Sequence, residues 1–278
     1  MQTKYTVTMI STLLLALSVV PLGKAGAQTV REETPVTEET AQRTEMTAAA
    51  KETADVQAKT TLANRASEVL EEIMKMPDQG IPVDLLSRAK CVAVFPSTLK
   101  AGLLVGAKYG YGLASCRQPE SDTWGAPAFF TIAGGSVGSQ IGAKATDLIL
   151  LFKNDTGMQG LLNSKVTLGA DIGVSAGPVG RDASASTDVS LQAAVLSYSR
   201  SEGLFAGVEL DGSSVSYDAK ATREVYGHEW PAKTVLIGNK EAPVSLASFP
   251  HMLEKYAPQH MAKSSVQPPL PPSGLSLR

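Results

Sequence analysis

Apolar and polar residues recur with two different periods along this chain, and the switches between them outline its elements. Leu62, Ala66, Val69, Leu70, Ile73 and Met74 or Met76 repeat at three- and four-residue spacing, with Arg65, Glu68, Glu71, Glu72 and Lys75 opposite them. That pattern predicts an amphipathic helix, ended by Pro77. A short helix over Val83–Ala89 follows the turn Gly80-Ile81-Pro82. From Cys91 the period becomes two. Cys91–Phe95 reads as a buried strand stopped by Pro96, and Gly102–Cys116 alternates. Its odd positions, Leu103, Val105, Ala107, Tyr109, Tyr111 and Leu113, form an apolar face expected to pack a core. Its even positions, among them Gly106, Lys108, Gly110 and Gly112, are nearly bare and invite curvature or close approach of another layer.

The stretch Gly125–Asp155 organises the rest. Two apolar runs, Ala126–Ala133 and Leu148–Phe152, flank the glycine-dense segment Gly134–Gly142 and read as buried strands. Asn154-Asp155 can cap a helix over Thr156–Asn163. Beyond it the pattern predicts a strand over Val166–Ala176, a hairpin of Val189–Ser199 with Leu204–Leu210, and a strand over Ser214–Tyr217. A helix Ala219–Tyr226 ending at Gly227, a last strand Val235–Ile237 and a helix Leu246–Tyr256 follow. Many closely spaced strands with helices gathered at both ends predict an α+β fold, with a mostly antiparallel, strongly curved or barrel-like β core.

The flanks differ in composition. Met9–Leu22 is an apolar run after Lys4, and Ala25-Gly26-Ala27 offers an A-x-A cleavage site. This reads as a secretory signal peptide over 1–27, too short for a membrane span, with the mature protein starting near Gln28 in a periplasmic or extracellular space. Residues 28–60 are rich in Thr, Glu and Ala and read as a disordered or loosely helical acidic spacer. Residues 61–257 form the domain, and 258–278, ending PPLPPSGLSLR, an extended Pro-rich tail. In an oxidising compartment the two cysteines, Cys91 and Cys116, suggest a disulfide; the alternative is two small buried thiols.

A net charge of −2 gives no global drive toward nucleic acid or anionic membrane. The distribution says more. Between Asp84 and Glu120 no acidic residue occurs, yet Arg88, Lys90, Lys100, Lys108 and Arg117 fall there. They are candidate anion-binding residues, or else solvated outer residues of strands.

Catalytic chemistry finds little support. Gly134-Gly135-Ser136-Val137-Gly138 matches G-x-S-x-G, but that chemistry needs a strand-to-helix turn, and Ser139–Thr146 has no helical apolar face. The sequence shows no metal-ligand spacing and no phosphate loop at Gly138–Lys144, so no metal and no cofactor are expected.

The motifs PAFFTIAGGSVGSQIG, DLILLFKNDTGMQGLL and KVTLGADIGVSAGPVGR resemble the SYLF domain, a lipid-binding family, from about Leu62 to about Gly238. The resemblance implies binding of membrane lipids, notably phosphoinositides, and for some fungal members actin filaments. The chain resembles a bacterial, secreted branch, so the expected partner is an anionic phospholipid or membrane surface, with actin not expected. Relatives use an N-terminal amphipathic helix and basic residues. The helix here carries an acidic face, which shifts the expected contact to Arg88, Lys90, Lys100, Lys108 and Arg117. The reading is therefore a non-catalytic lipid-binding envelope protein. Its alternatives are a serine hydrolase using Ser136, or a structural envelope protein with a protein partner.

Overall fold

The computed structural model describes residues 36–76, 80–102, 105–137, 142–180, 192–201 and 204–258. The expected signal peptide and nearly all of the Pro-rich tail lie outside them. The chain divides into two units, Met1–Glu45 and Met46–Arg278, and the second carries the fold.

Helix α1 (Val36–Met74) includes the expected amphipathic helix and begins well before Leu62. Its apolar stripe, Ala63, Ala66, Val69, Leu70 and Ile73, is fully buried. Helix α2 (Val83–Ser87) leads into four long strands: β1 (Cys91–Gly102), β2 (Val105–Cys116), β3 (Ala128–Val137) and β4 (Gly142–Phe152). Then come α3 (Asp155–Leu162), β5 (Lys165–Thr167), β6 (Val174–Ala176), β7 (Val195–Ser201), β8 (Leu204–Gly207) and β9 (Ser214–Tyr217). Helices α4 (Ala219–Tyr226), α5 (Ala232–Ile237) and α6 (Ser248–Tyr256) close the unit.

The strands form one strongly curved half-barrel sheet, ordered β5-β9-β3-β2-β1-β4-β7-β6, with β8 also on β7. All pairings are antiparallel except β6–β7. The fold is α+β, as the pattern predicts. Alternation sends Cys91, Ala93, Phe95, Phe130, Ile132, Leu150 and Phe152 to a core shared with α3 and α5. It sends Val92, Val94, Leu113, Phe129, Ile149 and Leu151 to a second core under α1, α2 and α6. A sheet buried on both faces needs a helical layer on each side.

Three expectations are corrected in detail. Pro96 does not stop β1. The strand passes it through a bulge between Phe95 and Leu99, where Ser97 takes a positive φ and its N–H donates to Asp147 Oδ1 at 2.8 Å. A residue without an N–H fits a strand only where pairing is interrupted. The expected strand Val166–Ala176 is two short strands, β5 and β6, separated by a turn in which the Asp171 carboxylate accepts from Thr167 N–H. Val235–Ile237 is the end of helix α5, where Val235 and Leu236 are buried against the sheet. A three-residue apolar run carries no period, so packing decides its conformation. The capping expectations hold. Asn154 Oδ1 accepts from Gly157 N–H, and Gly227 ends α4 in the left-handed region at φ 71°.

Candidate functional site

The four long strands outrun the helices that cover them. Near Cys91, Cys116, Ala128 and Phe152 both faces of the sheet are buried. Toward Gly102, Val105, Val137 and Gly142 the strands continue, β1 and β2 as a hairpin with β3 and β4 paired on its outer sides, and there the faces diverge.

On the α1 side, the residues continuing the row of Leu113 are Tyr111, Tyr109, Ala107 and Val105, with Leu99 paired to Tyr109. All five are exposed; Tyr109 and Tyr111 are 46% and 53% accessible and Val105 74%. The apolar face of β2 therefore packs a core only from Leu113 onward, a correction to its expected role. Tyr109 and Tyr111 meet edge to face, with ring centroids 5.1 Å apart. A hydrogen bond between them pushes the Tyr109 phenol up to about 12. Tyr111 also lines a cleft of about 470 Å³ between α1, β3 and α4, floored by Ala58, Leu62, Phe129 and Ala221. Lys59 of α1 pairs with Glu224 of α4 at 3.3 Å at that cleft.

On the opposite side the bare face is covered. A Cβ on Gly112 would come within 2.5 Å of the Phe95 ring, and one on Gly110 within 2.4 Å of Thr98 Oγ1. The sheet can curl this tightly only because those side chains are missing. Along this inner face the ladder sets Lys108 opposite Lys100, and Lys100 opposite Lys144 on β4. Three lysines thus stand in one row across β2, β1 and β4. Lys108, only 6% exposed, is the recessed member, while Lys100 and Lys144 are half-buried. Burial lowers the pKa of Lys100, and the Lys144 charge adds to the shift. Burial likewise lowers that of Lys108; Lys100 reinforces the effect and Asp211 opposes it.

The structure thus brings together two of the five basic residues singled out in the sequence. The other three lie toward the opposite end of β1. Ten residues of extended strand span roughly 30 Å, which separates Lys90 from Lys100. Lys90 is exposed, at the start of β1. Arg88 is exposed at the C-terminal cap of α2, paired with Asp84 at 2.8 Å. Arg117 is buried, and its guanidinium donates to the carbonyls of Ala89, Asp122, Ser87 and Ala257 while stacking 4.4 Å from the Trp124 ring. It clamps the chain after α6 and presents no charge to a surface. Lys144 was not among the candidates because it lies just after the glycine-dense segment, outside the acid-free stretch. Its signal was period two: Lys144 lies two residues from Gly142 as Lys100 lies two residues from Gly102, and the two glycines pair.

Cys91 and Cys116 face each other across β1 and β2 and are disulfide-bonded. Ser136 belongs to β3 and pairs with Gly106 in an unbroken ladder, so its backbone is a strand rather than a strand-to-helix turn. Among the described residues no cluster of three His, Cys, Asp or Glu side chains could hold a metal, and no helix is long and apolar enough to cross a membrane.

Comparison with known proteins gives this architecture relatives. Residues 133–256 match the family model Ysc84, described as "Las17-binding protein actin regulator". LAS seventeen-binding protein 3 of Saccharomyces cerevisiae is 35% identical over 201 residues, covering 69% of this chain and 43% of the relative. Protein YSC84 of the same yeast is 34% identical over 69% of the chain and 42% of its own length. The human SH3 domain-containing YSC84-like protein 1 is 32% identical over 71% of the chain and 59% of its own length. The chain thus spans about half the length of the curated relatives it matches. Their names overturn the expected partner. They point to protein partners and actin regulation rather than to a phospholipid with actin set aside. They name binding and regulatory proteins, not enzymes. With its motifs and these relatives in agreement, this chain belongs to the Ysc84, or SYLF, family.

Proposed function

We propose that this chain is a non-catalytic binding domain that engages a protein partner through the exposed α1-side face of the β1–β2 hairpin. The observation that carries this reading is the row Leu99, Val105, Tyr109 and Tyr111, contiguous across two paired strands and left uncovered. Exposed apolar surface gathered on one face marks an interaction site, and tyrosine supplies large contact area at low entropic cost. The relatives' names supply the first partners to test, actin filaments and Las17. Purified full-length chain is co-sedimented with actin filaments and titrated against purified Las17, alongside the variant Val105→Ser/Tyr109→Ser/Tyr111→Ser. The expected result is binding to one of them that falls about tenfold or more in the variant, as for loss of central aromatic anchors. Binding to neither protein, or equal binding by the variant, overturns the reading. So does binding to anionic vesicles alone. Ser136→Ala should leave every readout unchanged, and labelling of Ser136 by a serine-reactive phosphonate would show an enzyme instead.

We also place the chain in an oxidising compartment. The Met9–Leu22 run, the A-x-A site and the Cys91–Cys116 disulfide support that placement. Intact mass of the exported protein should begin at Gln28, and an uncleaved cytoplasmic product would refute export.

A further inference from the structure

The inner face of the same strand ends carries a second set of groups that the binding reading leaves unused. Lys108, Lys100 and Lys144 occupy directly opposed positions on three adjacent strands. Like charges set opposite one another on neighbouring strands repel, and nothing in strand pairing rewards the arrangement. The Lys144 charge acts on Lys100, and the charges of Lys100 and Asp211 act on Lys108. Beyond Lys108 the ladder reaches Gly134, where a Cβ would lie 3.0 Å from Ser213 Oγ. The Ser213 hydroxyl is buried and has no hydrogen-bond partner among the described residues. A buried hydroxyl without a partner is a cost that a bound acceptor removes. The row above the lysines is Gly106, Gly102 and Gly142, which adds no side chain over the ammonium groups.

We propose that Ser213, Lys108, Lys100 and Lys144 form a recessed anion site that takes the carboxylates of an acidic segment of a protein partner. One acidic side chain enters at Ser213 and Lys108, and further carboxylates lie over Lys100 and Lys144. The geometry favours an acidic segment over a single phosphate. Neighbouring strands stand about 4.8 Å apart, so the ammonium groups rise from a line. Such a line matches carboxylates spaced about 5–6 Å along a helix face, whereas one tetrahedral anion wants donors converging from several sides. The charge of Asp211, which acts on Lys108, sets a limit on affinity. This inference rests on the protein-partner reading above and names the chemistry of that partner.

The test uses the full chain and a fluorescent oligoglutamate peptide, followed by anisotropy at low and high salt. Binding should weaken with salt and fall about tenfold or more in Lys108→Met and in Lys100→Gln/Lys144→Gln. Lys165→Gln and Lys220→Gln, on β5 and α4, should bind as the parent chain does. Lys108→Met keeps the aliphatic stem and removes the buried charge, so its thermal midpoint should hold or rise while binding is lost. A merely structural lysine would behave the other way. No peptide binding by the folded parent chain, or binding that ignores the lysine row, overturns the site. Preference for inorganic phosphate over the peptide as competitor, or for anionic vesicles lost in the same variants, also overturns it. If peptide binding fails while actin or Las17 still binds, the site falls and the protein-partner reading stands. If the row binds peptide but neither protein binds, the reverse holds.

Discussion

The two ends of β1 and β2 are built from the same alternation and meet opposite fates. At the Cys91–Cys116 end, Val92, Val94 and Leu113 point toward α1, and Ala93, Phe95 and Ala114 point toward α3 and α5. Both faces are dry. At the Gly102–Val105 end, the same two rows become exposed tyrosine and valine on one face and a lysine row over glycine on the other. Side-chain period tells which residues share a face. It does not tell whether another layer reaches that face. One sheet can thus be stable and still present a surface: one end of the strands supplies the core, and the other is left exposed.

The largest expected effects test the buried end. Phe95→Ala should cost about 3–5 kcal/mol by urea denaturation, because Phe95 is fully buried and its ring fills the space Gly112 leaves open. Tyr109→Ser at the exposed end should stay within about 0.5 kcal/mol. Equal losses at the two positions would break the comparison. Next in size is Arg117→Ala, expected to cost about 3 kcal/mol, since it removes the guanidinium bonds to the carbonyls of Ala89, Asp122, Ser87 and Ala257 and leaves the Trp124 ring without its stacked cation. Arg117→Lys should recover only part of this, because one ammonium cannot reproduce the guanidinium fork. Reducing Cys91–Cys116 comes third. Opening a loop with a sequence separation of 25 should cost roughly 3 kcal/mol or less, because strand pairing already holds the two residues opposite each other.

Overfilling the inner face sharpens the contrast further. Gly112→Val should destabilise by about 1–3 kcal/mol, since the new side chain meets Phe95 and the Val94 carbonyl. Gly135, on the other face of β3 with open space around its Cβ position, should accept alanine without such a clash. The smallest effect is on pH. Tyr109 is raised in the folded chain by its hydrogen bond with Tyr111, so folding favours its neutral form. Its contribution is complete below the ordinary phenol value near 10 and is lost as pH rises through about 12. Burial also raises Tyr198, Tyr217 and Tyr226, so the reading is a difference: spectrophotometric titration of Tyr111→Phe against the parent should show one phenol, Tyr109, moving down. Titration of every exposed tyrosine near 10 would contradict the pairing.

The sequence by itself determined the alternation of β1 to β4, the amphipathic stripe of α1, the caps at Asn154 and Gly227, and the family through its long central motifs. Each depends on neighbours close in the chain or on residue types that one backbone conformation demands. It also suggested the pairing of Cys91 with Cys116, because a short hairpin returns the chain to its start. What lay beyond it depends on distance in space. Val235–Ile237 became helix because its side chains had a core to enter. Arg117 became a buried clamp because the carbonyls after α2 and α6 converge on it. Lys144 joined Lys100 and Lys108 only when β4 paired with β1, a contact between residues far apart in the chain. The tertiary structure decided which half of the apolar row met a helix and which half met solvent. Burial is set by the layer that arrives, and no local pattern specifies where that layer ends.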